Sequence, residues 1–358
     1  MDNVAQRTKI CLVIPSLLAG GMERVISELA NYISRDADIE VHLVVLTKTD
    51  IFYDISNGVI IHRPTYVFNK KNRIYNQVRT LLFLRQILRK INPVSILSYG
   101  ETYNSFVLLA TLFTNLKVYV SDRSKPDKRW GAFHEVLRRI IYPKAFGIIS
   151  QTSYSKKFLF KETGHKNIRI IPNPVPCINF PVLERDKIIL NVGRIISTKM
   201  IDMLLDMFSE INNGQWTLWI VGDGPLRAEL ELKAENMGIS KNVKFWGSQK
   251  DIAWFYSKAS IFAFTSISEG FPNALLESMA AGLPAVAFDC IAGPSDLIIN
   301  GETGFLLQEY DVLAYKEKLR LLIENEKLRL DFGEHAKISS EKYSIEKIGE
   351  EYKRLLCQ

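Results

Sequence analysis

Short apolar segments alternate with helix-patterned segments along nearly the whole chain, and this alternation restricts the fold more than any other feature of the sequence. The apolar segments have the length and composition of buried strands. They lie at 10–15, 41–46, 96–99, 118–121 and 147–150 in the first half and at 188–192, 218–221, 243–246, 261–264 and 285–288 in the second. Strands separated by helices are typical of βαβ units. The sequence therefore predicts an α/β protein with parallel sheets.

A proline-rich segment at 171–181 separates the two series of strands, because proline at that density continues neither a helix nor a central strand. A chain of 358 residues also exceeds the size at which one hydrophobic core stops growing. We therefore expect two Rossmann-like domains, at 1–172 and 173–338, that face a central cleft. In such sheets ligands bind outside the carboxyl ends of the strands. Residues 339–358 are predicted to form a helix that returns to the first domain.

Charge is distributed unevenly between the two halves. Residues 1–173 hold 26 Lys and Arg against 13 Asp and Glu, whereas residues 174–358 hold 20 against 26. Such asymmetry indicates an anionic partner for the first half. No apolar run reaches the roughly 18 residues that a membrane span needs, and the four cysteines show no metal-ligand spacing. The first residues lack the plan of a secretory signal, so a cytoplasmic location is expected.

Two glutamates, Glu269 and Glu277, flank the most informative segment of the chain, Ser-Glu-Gly-Phe-Pro-Asn-Ala-Leu-Leu-Glu at 268–277. The strand at 261–264 should end just before Glu269, and a helix over 274–281 should place Glu277 about two turns inside it. The loop between them offers backbone amides at a helix N-terminus, where anions bind well. By themselves, two glutamates in a strand–turn–helix are more commonly solvated surface residues.

Glycine turns and cations follow several of the other predicted strands. Gly20 and Gly21 open the first helix, where paired glycines allow close backbone approach, although the full dinucleotide fingerprint is absent. Arg194 and Lys199 follow the first strand of the second half and suit a diphosphate, since arginine binds oxygens bidentately and lysine acts as a point charge. Gly222 begins a tight Gly-Asp-Gly-Pro turn after the next strand.

These features, in this order, resemble the retaining glycosyltransferases of family 4, which have the GT-B fold and include bacterial glycan-assembly enzymes. The resemblance covers essentially the whole chain and is densest over 188–307. The matching residues are Gly20-Gly21, Asn173, Gly193-Arg194, Lys199, Gly222-Asp223-Gly224-Pro225, Glu269 to Glu277, and the blocks 281–287 and 301–306.

The resemblance implies transfer of a hexose or N-acetylhexosamine from a nucleotide diphosphate, with UDP preferred, and retention of the anomeric configuration. Arg194 and Lys199 would hold the diphosphate, Glu269 would contact the donor sugar and Glu277 the ribose. The full implied donor set is Gly20, Gly21, Arg194, Lys199, Gly222, Gly270, Phe271, Pro272, Asn273 and Glu277. The cations can neutralise the leaving group, so neither a metal nor another cofactor is expected.

The sequence departs from the family in the loop after the fourth strand of the first half. Many relatives carry a histidine there, whereas this chain has Asp122 and Arg123. Arginine stays protonated and cannot act as a base, although it can bind a phosphate of donor or acceptor. Asp122 is a candidate for handling the proton. The departing phosphate can itself accept the proton of the acceptor, so no side chain is assigned as the base.

A basic amphipathic helix is predicted over 70–91, with a stripe at Ile74, Val78, Leu81, Leu82, Leu88 and Ile91 and seven cations around it. Such a helix suits an anionic membrane surface or a lipid-linked diphosphate acceptor. A core helix with a solvated basic face explains the pattern equally well. The first interpretation predicts a peripheral enzyme at the inner face of the cell membrane that acts on a glycan or polyprenyl-diphosphate-linked acceptor.

Two other functions compete with this interpretation. A nucleotide-sugar epimerase can use the same fold, since fold alone does not determine activity. A non-enzymatic protein could use the basic half to bind an anionic polymer. Nucleic acid is not expected as that polymer, because the chain lacks aromatic-basic RNA motifs, zinc spacing and a recognition-helix pattern.

Overall fold

The computed structural model describes residues 7–18, 20–66, 72–176 and 178–358 and divides into two compact units. Unit 1 comprises Met1–Pro176 and Tyr343–Gln358, and unit 2 comprises Cys177–Lys342. The first division lies inside the proline-rich segment. Within the described ranges, no helix is long and apolar enough to cross a lipid bilayer.

Each unit is built on one parallel sheet. The strands of unit 1 are β1 (Thr8–Ile14), β2 (Ile39–Val45), β3 (Val59–His62), β4 (Ser95–Tyr99), β5 (Lys117–Ser121), β6 (Gly147–Ser150) and β7 (Ile168–Ile170). Those of unit 2 are β8 (Ile188–Val192), β9 (Thr217–Val221), β10 (Val243–Gly247), β11 (Ile261–Phe264), β12 (Ala285–Phe288) and β13 (Gly304–Leu307). The orders are β3-β2-β1-β4-β5-β6-β7 and β10-β9-β8-β11-β12-β13, the doubly wound pattern of Rossmann-like sheets.

Helices follow most of the strands, as right-handed crossovers between parallel strands require. They are α1 (Gly21–Ile33), α2 (Arg73–Ile91), α3 (Glu101–Ala110), α4 (Ala132–Ile141), α5 (Ser153–Thr163), α6 (Ile201–Ile211), α7 (Arg227–Asn236), α8 (Ile252–Lys258), α9 (Asn273–Ala280), α10 (Pro294–Leu297), α11 (Val312–Glu324), α12 (Glu326–Ser340) and α13 (Ile345–Leu356). Short 3₁₀ turns lie at Tyr142–Lys144, Ser197–Lys199 and Glu341–Tyr343.

Both faces of the sheet in unit 1 are covered by apolar side chains. On one face, α1 packs beside α13, whose Tyr352 and Leu356 are fully buried. On the other face, α2 contributes Leu84 and Leu88 to a cluster that also includes residues of β5 and β6. The C-terminal helix is thus part of the core of unit 1, although the chain reaches it only after unit 2.

Unit 2 has its main core between its sheet and the helices α6 and α11. Phe208 and Tyr315 are fully buried there, and the Tyr315 hydroxyl donates a hydrogen bond to the backbone oxygen of Val286 at 2.9 Å. A buried tyrosine normally finds such a partner, because an unsatisfied hydroxyl in the core is costly.

All ten strands predicted from the sequence are present, and the described ranges contain three further strands that were not predicted. β3 and β7 are short edge strands with partly exposed side chains, so they lack the continuous apolar run of a buried strand. β13 begins at Gly304, which has a φ of +159°. Strands at a sheet edge or with glycine are difficult to predict from the sequence, because their hydrophobic pattern is weak.

Two helix predictions require correction. The apolar residues of α2 do not form one stripe: Leu88 and Ile91 are buried, whereas Ile74, Val78 and Leu82 are exposed. The predicted start of this helix at Lys70 and Lys71 lies outside the described residues. In unit 2, α9 begins at Asn273, so Glu277 lies about one turn inside it rather than two.

Candidate functional site

The loops after β8 and β11 lie where the strand order of unit 2 reverses. β8 pairs with β9 on one side and with β11 on the other, so the chain leaves these strands in opposite directions. In an open parallel sheet this position opens a crevice at the carboxyl ends of the strands. The loop at 193–199 and the loop at 265–272 flank that position, and they contain the predicted cations and Glu269.

Glycine backbone in the turn after β9 packs directly against the loop after β8. A Cβ atom on Gly222 would lie 1.9 Å from the carbonyl oxygen of Gly193, and one on Gly224 would lie 2.2 Å from that of Ile195. Gly222 also has a φ of +136°, a conformation that other residues rarely adopt. The two glycines therefore fix the path of the loop that carries Arg194.

Lys199 and Glu269 form an ion pair across the two loops. Their Nζ and Oε1 atoms are 2.5 Å apart, and the side chains are only 18% and 13% exposed. The Thr265 hydroxyl donates a hydrogen bond to the backbone oxygen of Lys199 at 2.7 Å, which ties the 3₁₀ turn to the end of β11. Two sequence-predicted site residues are thus brought into contact, although they are 70 positions apart.

Arg194 lies in the same loop as Lys199 but is exposed. Its guanidinium makes no hydrogen bond or ion pair with any residue that the structure describes. An exposed guanidinium presents five donors in a planar fork that matches phosphate oxygens. Arg194 is therefore available to an anionic ligand without first breaking a contact with any of the described residues.

The loop before α9 is held by close packing. Phe271 and Pro272 are buried, whereas Gly270 and Asn273 are partly exposed. A Cβ atom on Gly293 would lie 2.2 Å from the Pro272 ring, and Gly293 has a φ of +133°. The loop that joins Glu269 to α9 therefore packs against the backbone of Gly293, where there is no space for a side chain.

Glu277 is buried in α9 and accepts a hydrogen bond from a second helix. The Tyr256 hydroxyl of α8 lies 3.0 Å from Glu277 Oε2 and 3.2 Å from the backbone oxygen of Ala274. Glu277 is 5% exposed and Tyr256 is fully buried. A carboxylate at this depth needs hydrogen-bond donors to offset the loss of water, and Tyr256 supplies one that orients it.

In unit 1, Asp122 belongs to a buried polar network at the end of β5. Its Oδ1 accepts hydrogen bonds from Asn104 Nδ2 at 2.9 Å and the Tyr142 hydroxyl at 2.7 Å. Its Oδ2 pairs with the Arg138 guanidinium at 3.3 Å. Burial raises the pKa of the Asp122 carboxyl, and the charge of Arg138 opposes that shift. The contacts of this carboxylate are therefore directed into the protein.

Arg123 joins three separate segments of unit 1. Its guanidinium donates to the Asn173 side-chain oxygen at 2.9 Å and to the Tyr352 hydroxyl, and it lies 3.9 Å from the centre of the Tyr99 ring. The backbone N–H of Arg123 donates to Glu101 Oε2 at 3.0 Å. At the position where relatives are expected to carry a histidine, this chain has a cation that binds the C-terminal helix to the sheet.

Gly20 and Gly21 begin α1, but the space beside Gly20 is occupied. The N–H of Gly20 donates to the Tyr53 hydroxyl at 3.1 Å, and the same hydroxyl donates to its carbonyl at 3.0 Å. A Cβ atom on Gly20 would lie 2.3 Å from a carboxylate oxygen of Glu23. A carboxylate in the first turn of a helix is favoured by the helix dipole, so Gly20 also makes room for Glu23.

Exposed apolar side chains cluster with cations on two helices of unit 1. On α4, Phe133, Val136 and Ile140 are 76%, 54% and 59% exposed, at the i, i+3, i+7 spacing of one helix face. Arg139 follows on the same helix. On α2, Ile74, Val78 and Leu82 are also exposed, at i, i+4, i+8 spacing, and we call the exposed apolar side chains of these two helices, with Arg139, the apolar-basic surface. Single exposed apolar residues are ordinary, whereas aligned ones indicate an interaction site.

The residues that the structure describes contain no group of three or more His, Cys, Asp or Glu side chains placed to hold a metal ion. The His42 and His62 rings do meet, with Nδ1 and Nε2 3.0 Å apart, and the other nitrogen of His42 bonds to Glu40. Burial lowers the pKa of both histidines.

Two parallel Rossmann-like sheets, one of which carries charged loops at the carboxyl ends of its strands, define a protein of the GT-B fold class. The solved structure of Anabaena HepE in complex with UDP-glucose matches the chain with a TM-score of 0.80 at 15% identity. The match covers 98% of this chain and 99% of that one. This likeness confirms the predicted fold class.

Sequence comparison identifies the family. The model described as Glycosyltransferase Family 4 matches residues 19–177, and the model described as Glycosyl transferases group 1 matches residues 179–339. The chain therefore belongs to the family 4 glycosyltransferases, enzymes that transfer sugars from nucleotide sugars in glycan assembly. The resemblance inferred from the glycine and glutamate motifs is thus confirmed.

Two relatives match over nearly their entire lengths. An uncharacterized glycosyltransferase of Haemophilus influenzae is 28% identical, over 94% of this chain and 96% of its own. The GalNAc-α-(1→4)-GalNAc-α-(1→3)-diNAcBac-PP-undecaprenol α-1,4-N-acetyl-D-galactosaminyltransferase of Campylobacter jejuni is 26% identical, over 98% of both chains.

Tyr256 is a site residue that the sequence reasoning missed. It lies in α8, in the segment Ile-Ala-Trp-Phe-Tyr-Ser-Lys, where aromatic residues at helical spacing predict only a core helix. No local pattern connects it to Glu277, which is 21 positions later. Only the packing of α8 beside α9 brings the hydroxyl and the carboxylate together.

Proposed function

We propose that the chain transfers a hexose or N-acetylhexosamine, with retention of configuration, from a UDP-sugar to a lipid-linked glycan. Unit 2 binds the donor, and unit 1 binds the acceptor and a membrane surface. The observation that carries the proposal is the contact between Lys199 and Glu269. In a nucleotide sugar the diphosphate is bonded directly to the sugar. A site for it therefore needs a cation for the diphosphate next to a carboxylate for the sugar hydroxyls, and Lys199 and Glu269 provide this arrangement.

The donor would be held by residues with separate tasks. Arg194 and Lys199 neutralise the diphosphate, which also stabilises the negative charge that develops on it as it leaves. Glu269 accepts hydrogen bonds from the sugar, assisted by the loop at 270–273 and the N-terminus of α9. Glu277 binds the ribose hydroxyls. Gly222 completes the set in unit 2 as a backbone contact to the nucleotide or its phosphates.

Retention follows if the acceptor oxygen bonds to the anomeric carbon on the face from which the phosphate departs. The bond between that carbon and the phosphate oxygen breaks, and the acceptor proton passes to the departing phosphate. Arg194 and Lys199 supply the positive charge at the leaving oxygen, so the proposed reaction requires no metal. The inward contacts of Asp122 and Arg123 favour the phosphate over either side chain as the group that takes the proton.

The apolar-basic surface supports the proposal of a membrane-associated acceptor. Aligned apolar side chains flanked by cations bind anionic interfaces through both burial and charge. The relative from Campylobacter jejuni is named for an undecaprenol-linked substrate, which supports a lipid-linked acceptor here. We infer a peripheral enzyme at the cytoplasmic face of the cell membrane.

Two experiments test this function. In a panel of UDP, GDP and their sugars, melting temperatures should rise with UDP and a UDP-sugar, because a ligand at 100 times its Kd adds about 2.7 kcal/mol to the free energy of unfolding. Product analysis with polyprenyl-diphosphate acceptors should give an α-linked glycoside from an α-linked donor. An altered free nucleotide sugar without an acceptor would instead indicate an epimerase, and no stabilisation by any nucleotide would contradict the transferase assignment.

Membrane binding is tested separately by sedimentation with liposomes. The triple variant Ile74→Ser, Val78→Ser, Leu82→Ser should pellet less with anionic vesicles than the wild type. Leu313→Ser provides the control, because Leu313 is 76% exposed on α11 of unit 2. Equal pelleting of the wild type with anionic and neutral vesicles would contradict the membrane proposal and leave the donor proposal intact.

A further inference from the structure

The first residues of unit 2 run along the C-terminal end of α8 before the chain enters β8. The N–H of Asp186 donates to the backbone oxygen of Lys258 at 2.8 Å, and the Ser260 hydroxyl donates to the backbone oxygen of Asp186 at 2.6 Å. Lys258 Nζ also lies 3.4 Å from the Asp186 carboxylate. This leading segment is therefore fastened to the end of α8 by backbone and side-chain contacts.

Arg185, near the end of this leading segment (residues 178–187), donates hydrogen bonds to the ends of two helices. Its Nη1 lies 3.1 Å from the backbone oxygen of Tyr256 and 2.6 Å from that of Ala259, at the end of α8. Its Nη2 lies 2.5 Å and 3.3 Å from the backbone oxygens of Ala281 and Gly282, at the end of α9. Helix C-termini leave carbonyls without intrahelical partners and attract positive charge. The single guanidinium of Arg185 therefore provides donors to the carbonyls at the ends of both helices.

The two helices joined in this way carry the hydrogen-bonded pair of Tyr256 and Glu277. The hydroxyl of Tyr256 reaches Glu277 from α8, while its own backbone oxygen accepts from Arg185. Phe180, also in the leading segment, packs edge-on against the Tyr256 ring with centroids 6.1 Å apart. The same stretch of chain therefore contacts both the backbone and the ring of Tyr256, whose hydroxyl reaches Glu277.

We propose that Arg185 is a positioning residue for Glu277, acting by holding the ends of α8 and α9 at a fixed separation. The inference rests on the proposed function, in which Glu277 binds the ribose of the donor. Arg185 contacts neither the carboxylate nor the ribose. Its effect passes through the backbone of Tyr256 and the C-terminal turn of α9, which together determine where the Glu277 carboxylate lies.

A guanidinium is required for this task because of its shape. Its two terminal nitrogens lie in one plane and point to different helices, so one side chain can bridge both ends. A lysine ammonium carries its three donors on one nitrogen and therefore cannot point separate nitrogens at the two helix ends. Arg185→Lys keeps the charge and loses the bridge, whereas Arg185→Gln loses both. The two variants therefore separate bridging from charge.

The test is the preference for UDP over 2′,3′-dideoxy-UDP, measured as a ratio of Kd values by titration calorimetry. The wild type should prefer UDP by about tenfold or more, the usual value of a hydrogen bond to a charged group. Arg185→Lys and Arg185→Gln should reduce the ratio to below about threefold, and Glu277→Gln should do the same. In turnover, the donor KM should rise while kcat stays near the wild-type value.

Arg329→Gln is the matched control. Arg329 Nη1 also caps helix carbonyls, those of Leu322 and Ile323 at 2.7 and 3.1 Å, but α11 carries no proposed site residue. This variant should lower the melting temperature and leave the UDP preference unchanged. A purely structural role for Arg185 would give the same result as Arg329→Gln.

The possible outcomes distinguish the two proposals. If the wild type does not prefer UDP and Glu277→Gln changes nothing, the assignment of Glu277 to the ribose is wrong. If Glu277→Gln abolishes the preference while Arg185→Lys and Arg185→Gln retain it, the positioning role is overturned. If Arg185→Gln melts too low for titration, Arg185→Lys gives the decisive ratio, because it retains the charge at the helix ends.

Discussion

The loops at 193–199 and 265–272 of unit 2, which we call the donor loops after their proposed role, and the loop after β5 in unit 1 both place charged residues at the carboxyl ends of parallel strands. The charged residues of the two units nevertheless differ in their partners. In unit 2, Lys199 and Glu269 form a single partly exposed pair and Arg194 is exposed. In unit 1, Asp122 and Arg123 are engaged by other side chains of the same unit. The difference shows that the partners of a charged residue, more than its position after a strand, indicate whether it can serve a ligand.

The largest expected effect is on turnover, and it concerns Glu269. Glu269→Gln should lower kcat by about 10²–10³-fold, because a preorganised charge at the reacting centre typically contributes that much. The control is Glu210→Gln, which breaks another Lys–Glu pair with a 2.5 Å contact in unit 2, that of Glu210 with Lys316. Similar kcat values for the two variants would place Glu269 outside the reacting centre.

Gly222→Ala tests whether the donor loops depend on their close backbone packing. The added Cβ would lie 1.9 Å from the oxygen of Gly193, so the variant should lose more than about 3 kcal/mol of unfolding free energy. Gly214→Ala is the control, because Gly214 also has a positive φ, of +81°, but no atom lies within 4 Å of its Cβ, and it should lose about 1–2 kcal/mol. Equal melting temperatures would contradict the packing argument.

Two arginines give the sharpest form of the comparison between the units. Arg194→Ala should weaken UDP binding by about 10–100-fold, the value of one or two charge-assisted hydrogen bonds, with little change in melting temperature. Arg123→Ala should lower the melting temperature and leave UDP binding unchanged, because it removes the guanidinium hydrogen bonds to the Tyr352 hydroxyl and the Asn173 side chain. Calorimetry and thermal melting on both variants check this prediction. A loss of UDP binding in Arg123→Ala together with a loss of stability in Arg194→Ala would contradict our interpretation of the two loops.

The smallest effect concerns Asp122 and pH. Because burial raises the pKa of this carboxyl above its unfolded value of about 3.9, the folded protein retains the proton to higher pH than the unfolded chain. The contribution of Asp122 to the free energy of unfolding therefore falls as pH rises from about 4. The melting-temperature advantage of the wild type over Asp122→Asn should shrink between about pH 4 and pH 7. A constant difference would show that Asp122 does not titrate in this range.

Much of the fold could be predicted from the sequence, because buried parallel strands leave continuous apolar runs that any chain of this class must contain. β3, β7 and β13 were missed because edge strands and a glycine-led strand bury less and show a weaker pattern. The prediction of a single apolar stripe on α2 was wrong for a related reason. Apolar residues at helical spacing do not indicate whether the helix face that they form packs against the core or is exposed to solvent.

The site was predictable only in part. Glu269 and Lys199 could be found from their positions after strands, and their contact follows from the adjacency of β8 and β11. The contacts of Tyr256 and Arg185 could not be predicted, because they depend on which helix ends come together in three dimensions. The engagement of Arg123 by Tyr352 also depends on a C-terminal helix 229 positions later, a distance that no local pattern spans.

The central claim is that the cations of unit 2 bind the diphosphate of the donor. The most direct test is the ratio of the Kd of UMP to that of UDP, measured by calorimetry on the wild type and on the double variant Arg194→Met, Lys199→Met. We predict that the wild type binds UDP at least about tenfold more tightly than UMP and that the double variant binds the two equally. An unchanged ratio in the double variant would contradict the claim.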